Sequence, residues 1–218
     1  MDQKKSFLIF CFAVFLFACN KDKITGSGTV VSQKRDVIGF TGVVVNGSTK
    51  AFINIDTGFS VTVKGYENLL PYLESSVVNG VLQAGFKNGV NVSNDNTEIY
   101  ITLPILNYVQ TNGEGDMTVN GEVTGSDHLK ASINGSANIS IGKGNADEFE
   151  GEITGNGNIL ALGFQCKDAH VKILGDGNVE ISVSDNLDAT ISGNGNVYYH
   201  GMPIITTNIF GNGQVIPK

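Results

Sequence analysis

Four acidic residues in close succession, Asp147, Glu148, Glu150 and Glu152, are followed one repeat later by Asp168 and His170. Carboxylates paired at about 5–9 Å can hydrolyse glycosidic bonds, one donating a proton while the other attacks or activates water. Oxygen-rich clusters of this kind also hold Ca²⁺. The plainer reading is a solvated acidic face, which is what most charge runs are. His128, His170 and His200 fall at different phases of the repeat and show no metal-ligand spacing. No metal and no cofactor is therefore expected. Arg35 is the only arginine, which leaves little for lyase chemistry that uses an arginine base. Cys166 follows Phe164 and Gln165 in an apolar stretch and reads as a buried thiol rather than a nucleophile. Phosphate-loop and nucleophile-elbow motifs are absent, and the Gly-x-Gly pairs open no helix. No catalytic residue is expected.

Cys19 carries a different chemistry. Lys4 and Lys5 precede an apolar run from Phe7 to Ala18 that is too short to span a bilayer stably. The run ends Leu16-Phe17-Ala18-Cys19, which resembles a bacterial lipobox, with the Cys19 thiol as the lipidation site. Residues 1–18 read as a signal peptide and 19–36 as a lipidated tether. Removing 1–18 takes Asp2, Lys4 and Lys5 from the 14 basic and 21 acidic residues, leaving 12 and 20 and a formal charge of −8. So acidic a chain is a poor partner for nucleic acid. Its expected hold on a membrane is through acyl chains, firm if the cysteine carries more than one. Localisation to the cell envelope as an outer-membrane lipoprotein follows.

The elements that position these groups are set by a repeat. A glycine-bracketed turn recurs at Gly113-x-Gly115, Gly135-x-Ala137, Gly155-x-Gly157, Gly175-x-Gly177, Gly193-x-Gly195 and Gly211-x-Gly213, with first glycines 22, 20, 20, 18 and 18 residues apart. A period near 20 residues marks a solenoid. Thr111, Ile133, Ile153, Ile173, Ile191 and Ile209 stand two residues before the opening glycines. Met117, Ile139, Ile159, Val179, Val197 and Val215 stand four after them. Both columns are expected to stack at the β spacing of about 4.8 Å. Between them, outward rows run Lys130, Glu150, His170, Asp188, Thr206 and Ser132, Glu152, Lys172, Thr190, Asn208, placing Glu152 beside Lys172.

The glycines supply positive φ at a corner. Asn138, Asn158, Asn178 and Asn196 follow them and are expected to form an amide ladder. The fold expected is all-β: a single-stranded β-helix with coils of 18–22 residues, right-handed by the general crossover preference, with the six-residue gap between the two apolar columns also fitting left-handed hexapeptide coils. The repeat region is 111–218. Residues 37–110 are strand-like and cap or open the solenoid, with an Asn79-Gly80 hairpin turn and one helical turn at Tyr66–Leu70 stopped by Pro71. Pro217 is expected to blunt the last edge.

The Gly-x-Gly-Asn-Ile/Val turns, Tyr66-Glu67-Asn68-Leu69-Leu70, Ile99-Tyr100-Ile101-Thr102-Leu103-Pro104 and Gly195-Asn196-Val197-Tyr198-Tyr199-His200-Gly201 together resemble the head GIN domain family of autotransporter-adhesin-like proteins. The resemblance runs from Val37 to Lys218, with Ala137 departing from the usual Gly. It implies a Gly-rich β-helical lipoprotein or secreted protein of the kind common in Bacteroidetes, and it implies no reaction. The function expected is surface contact without catalysis, as adhesin or scaffold, toward a glycan or protein ligand or a second copy of the chain. Tyr66, Tyr72, Tyr198 and Tyr199 are candidates for stacking on sugars. The alternative is a polysaccharide-processing or polysaccharide-binding helix that uses the acidic face at 147–170.

Overall fold

The computed structural model describes residues 22–218; the expected signal peptide and Cys19 lie outside them. Eighteen strands carry the described residues. The first nine are β1 (Asp22–Thr25), β2 (Val30–Arg35), β3 (Gly42–Gly47), β4 (Lys50–Ile55), β5 (Ser60–Tyr66), β6 (Leu73–Val78), β7 (Val81–Phe86), β8 (Val90–Ser93) and β9 (Glu98–Leu103). Then follow β10 (Tyr108–Gly113), β11 (Met117–Val123), β12 (His128–Gly135), β13 (Asn138–Gly155), β14 (Asn158–Gly175), β15 (Asn178–Gly193), β16 (Asn196–His200), β17 (Ile204–Gly211) and β18 (Gln214–Pro217). From β10 onward each coil pairs in parallel with the next, building a β-solenoid.

Both apolar columns stack in the expected register. Thr111 pairs with Ile133, then Ile153, Ile173, Ile191 and Ile209 in turn. Met117 leads likewise through Ile139, Ile159, Val179 and Val197 to Val215. All are buried except the last member of each column. Burying each Ile or Val contributes roughly 1.5–3 kcal/mol. Thr111, the polar member, is fully buried and donates its hydroxyl to the Gly115 carbonyl at 2.9 Å, so it costs no unpaired group.

Two different constraints hold the glycines. The opening residues Gly113, Gly135, Gly155, Gly175, Gly193 and Gly211 have φ of 127–141°, where a side chain is strained. The second glycines are fixed by close approach. A Cβ on Gly157, Gly177, Gly195 or Gly213 would stand 2.0–2.3 Å from the carbonyl oxygen of the coil before it. The amide ladder runs beside them. Asp116 accepts from the Asn138 amide, Asn138 from Asn158, Asn158 from Asn178 and Asn178 from Asn196; Asn196 then accepts from the Gln214 backbone. Two further ladders, Asn46–Asn112–Asn134 and Asp176–Asn194–Asn212, flank it. Coil length changes on the side of the coil away from these turns. There the β14–β15 register shifts between Ala161 and Asp168, and the corner keeps its geometry.

Residues 37–110 follow a path that periodicity does not reveal. β3 and β4 lie between β10 and β11 on one side and β7 and β9 on the other. The Ile column therefore continues through Val45 to Ala84, and the second through Ala51 to Ile99. In chain order the coil of β3 and β4 comes first, yet in space it is second. Beyond β7 and β9 the parallel stacking stops, because β6, β5 and β2 are added antiparallel. Phe40, Leu69, Leu70 and Leu73, all buried, close that end of the core. Asn79 and Gly80 take φ of 51° and 75° in the expected hairpin turn. Pro71 does not stop a turn but sits near the start of a 3₁₀ turn, Leu70–Tyr72, where its fixed φ fits.

The segment expected to be a tether is structured from Asp22: β1 pairs with β8 and β2 with β5. Its few apolar residues reflect an outer strand with both faces partly wet. Arg35 donates to the carbonyls of Leu70 and Leu73, each at 3.2 Å, tying β2 across the cap. Residues 22–218 thus hold one contiguous core with its own lid.

Candidate functional site

The acidic residues do share one strip of the solenoid surface, on neighbouring coils. Each is matched there. Lys130 reaches Glu150 at 2.9 Å and Glu152 at 2.8 Å. Glu152 stands in register with Lys172, as expected, yet its ion pair runs the other way, to Lys130. Glu148 lies between His128, 3.5 Å away, and His170, 3.7 Å away, and His170 also faces Asp188 at 3.3 Å. Asp147 pairs with Lys167 at 2.7 Å, and Asp168 accepts from Asn186 at 2.6 Å. Lys130 keeps its proton more tightly than usual: burial opposes the charge, but the hydrogen bonds it donates to Glu152 and Glu150 outweigh it. The strip is a zipper of charges across parallel rungs. Among the described residues no three His, Cys, Asp or Glu side chains converge to hold a metal ion.

Cys166 is buried, and its thiol donates to the Ser182 carbonyl at 3.5 Å. Burial, with Asp168 adding to it, pushes the thiol up to about 12. Such a group is protonated and unreactive at neutral pH.

Beside the acidic strip runs a groove of about 680 Å³ that sequence reasoning did not find. It crosses five successive coils at Gly125–Asp127, Asn145–Asp147, Gln165–Lys167, Ser182–Ser184 and His200–Met202. Four coil spacings make it roughly 19 Å long. Asn145, Gln165, Ser182 and His200 stand in register along one wall; Ala146, Cys166 and Val183 form the floor. Asp147 and Lys167 neutralise one another on the far wall. The Asn145 and Gln165 amides are exposed and make no side-chain hydrogen bond among the described residues, in contrast to the laddered asparagines at the opposite corner. Its first three rungs keep the 20-residue period, but the step from Gln165 to Ser182 crosses the β14–β15 register shift, so that period does not carry through to the far rungs.

The four tyrosines considered for sugar stacking do not converge. Tyr66 and Tyr72 belong to the cap, Tyr198 lies under the Lys218 ammonium at 5.7 Å, and Tyr199 packs against the core. An aromatic pair does stack elsewhere, Phe52 on Tyr100 with ring centroids 5.2 Å apart. No helix among the described residues is long and apolar enough to cross a membrane.

Known structures share this architecture. A putative adhesin from Bacteroides fragilis NCTC 9343 superposes with a TM-score of 0.70 at 20% identity, over 89% of this chain and 100% of that one. A putative adhesin from Parabacteroides distasonis ATCC 8503 gives 0.54 at 26% identity, over 90% and 100%. One from Parabacteroides merdae ATCC 43184 gives 0.57 at 23% identity, over 90% and 99%. No curated protein matches the chain. The family model that does match spans residues 39–203, from the cap to the threshold of the last coil, and the chain belongs to that family, described as "Putative auto-transporter adhesin, head GIN domain".

Proposed function

We propose that this chain is a non-catalytic adhesin of the cell envelope, anchored by lipid on Cys19, that holds a glycan strand in the lateral groove. One observation carries the reading: free amides on Asn145 and Gln165 line up at coil spacing over an apolar floor. A ligand of repeating hydroxyls suits such a row, since each amide offers both donor and acceptor. The groove's paired Asp147 and Lys167 favour an uncharged ligand over a strongly acidic one. Glu148, Glu150 and Glu152 of the acidic strip, by contrast, face His128, His170 and Lys130 and lie outside the groove, which supports a structural role for them. A scaffold role, or polysaccharide processing at 147–170, is the alternative.

A glycan-binding screen on residues 22–218 tests this. Asn145→Ala/Gln165→Ala is expected to weaken binding at least tenfold, while Glu150→Ala/Glu152→Ala leaves it unchanged. Turnover of a polysaccharide that disappears in the second variant would replace the adhesin reading with the enzymatic one.

A further inference from the structure

The lateral groove is long, narrow and built on a single spacing. Each of its five coils contributes three consecutive residues. From wall to wall it is therefore two residue steps across, about 7 Å, against roughly 19 Å along the solenoid axis. For a volume of about 680 Å³ those dimensions leave it about 5 Å deep. A channel of this section admits one pyranose ring across its width and several along its length.

Asn145, Gln165, Ser182 and His200 occupy one wall in register, one residue per rung. Asn145, Gln165 and His200 are exposed. Ser182 donates its hydroxyl to the Leu162 carbonyl at 2.7 Å and so meets a ligand as an acceptor. Ala146, Cys166 and Val183 repeat in the floor at the same interval of about 4.8 Å. Gly201 follows Val183 in that row. A Cβ there would stand 2.0 Å from the Val183 carbonyl oxygen, so the last rung of the floor stays bare.

A ligand running lengthwise meets the same two surfaces, polar wall and apolar floor, at every step. An extended peptide is out of step with that interval, since it advances about 3.3 Å per residue. Nor does the groove offer it a strand edge, because the backbone of Asn145, Gln165 and Ser182 is already paired between coils. A β-1,4-linked pyranose chain does fit. It is extended and ribbon-like, and each ring advances it by nearly one rung. Successive rings turn opposite edges to the wall, and a primary amide meets either edge because it carries both donors and an acceptor. The C–H faces of the rings suit the apolar floor. An α-1,4-linked chain of the same sugar curls and leaves the row after a unit or two.

The geometry points to a neutral β-1,4-linked polysaccharide held lengthwise, one ring per rung, an assignment that rests on the groove being the glycan site proposed above. Asn145, Gln165, Ser182 and His200 set its register. No aromatic side chain lines the groove among the described residues, so each ring is held weakly and affinity accumulates along the chain.

Calorimetric titration of residues 22–218 with β-1,4-linked glucose, mannose and N-acetylglucosamine oligomers of one to six units tests this, with α-1,4-linked glucose oligomers as the contrast. In at least one β-linked series, affinity is expected to rise roughly threefold or more with each unit up to four, one for each wall residue, and then to level. The α-linked tetramer should bind at least tenfold more weakly. Ala146→Phe, at a half-buried floor position, should leave the β circular dichroism unchanged and end the rise at three units, because it obstructs one rung. Affinity that is flat with length, equal for both linkages or indifferent to Ala146→Phe would overturn the lengthwise β-linked ligand and leave the groove as a glycan site. So would silence of all three β-linked series while another glycan binds. Binding that survives Asn145→Ala/Gln165→Ala, or no binding of any glycan, would remove the groove as a glycan site and this ligand with it.

Discussion

At its N-terminal end the solenoid is finished with care: three antiparallel strands, a 3₁₀ turn and Arg35 spanning two backbone carbonyls seal Phe40, Leu69, Leu70 and Leu73 from water. In the last described coil Ile209 is 38% exposed, where Ile173 and Ile191 in the same column are fully buried. Both ends confront the same problem, since a repeat that buries its apolar face only against neighbours must do something with the last one. One end uses its own chain to solve it. The other leaves the apolar surface of the last described coil exposed, and the contrast shows that a column position has no fixed energetic value apart from what lies beyond it.

Charge insertion gives the sharpest test. Ile173→Asp places an unpaired carboxylate between two rungs and is expected to cost several kcal/mol, abolishing the cooperative thermal transition. Ile209→Asp in the same column should leave a folded protein with a melting temperature lower by only a few degrees. Equal losses would erase the distinction between the ends. Next come truncations within the cap. Leu69→Ala should cost about 2–5 kcal/mol in urea denaturation, and Arg35→Ala about 1–3, from stranding the Leu70 and Leu73 carbonyls. Ile205→Ala at the bare end should cost less than either.

The smallest effect is one of pH. Glu98, on β9 at the capped end, accepts from Tyr100 at 2.7 Å and Lys64 at 3.2 Å. The Tyr100 hydroxyl, chiefly, and Lys64 hold its carboxyl below the usual range. A depressed carboxylate stabilises the fold above its unfolded-state pKa, and that contribution disappears as pH falls through the folded value. For so exposed a group the contribution is at most about 1 kcal/mol. Glu98→Gln should therefore lower the urea midpoint slightly at pH 7, with the gap closing as pH falls below the usual carboxylate range. Residues 203–217 carry no titrating side chain, so the bare end offers no counterpart.

The repeat region was legible because its constraints are periodic. Ile133 through Ile191 and Asn138 through Asn196 recur at fixed offsets from a glycine, and backbone geometry alone accounts for both. The cap was not. Val45 and Ala84 belong to the Ile column but lack the Gly-x-Gly corner that would announce them, and chain order misplaces them. β2 hid in a polar segment because an outer strand needs no alternating apolar face. The groove was hidden in another way: Asn145 and Gln165 keep the 20-residue offset of the repeat, but Ser182 joins them only through the register shift between β14 and β15, which no spacing rule anticipates. Of the acidic candidates the neighbourhood was predictable, but the direction of the Glu152 ion pair was not.

The inverted placement of β3 and β4 has a bearing on how the chain acquires its shape. Both flanks of that coil are supplied by later residues, on one side 81–103 and on the other 108–123. Nascent chain up to Ile55 therefore has no neighbour to settle against, whereas any two adjacent glycine-cornered coils can nucleate alone. Assembly is expected to begin among the later coils and travel backward, with the first-synthesised segment among the last to find its seat. Until then its Val43–Val45 run stays available to wrong partners.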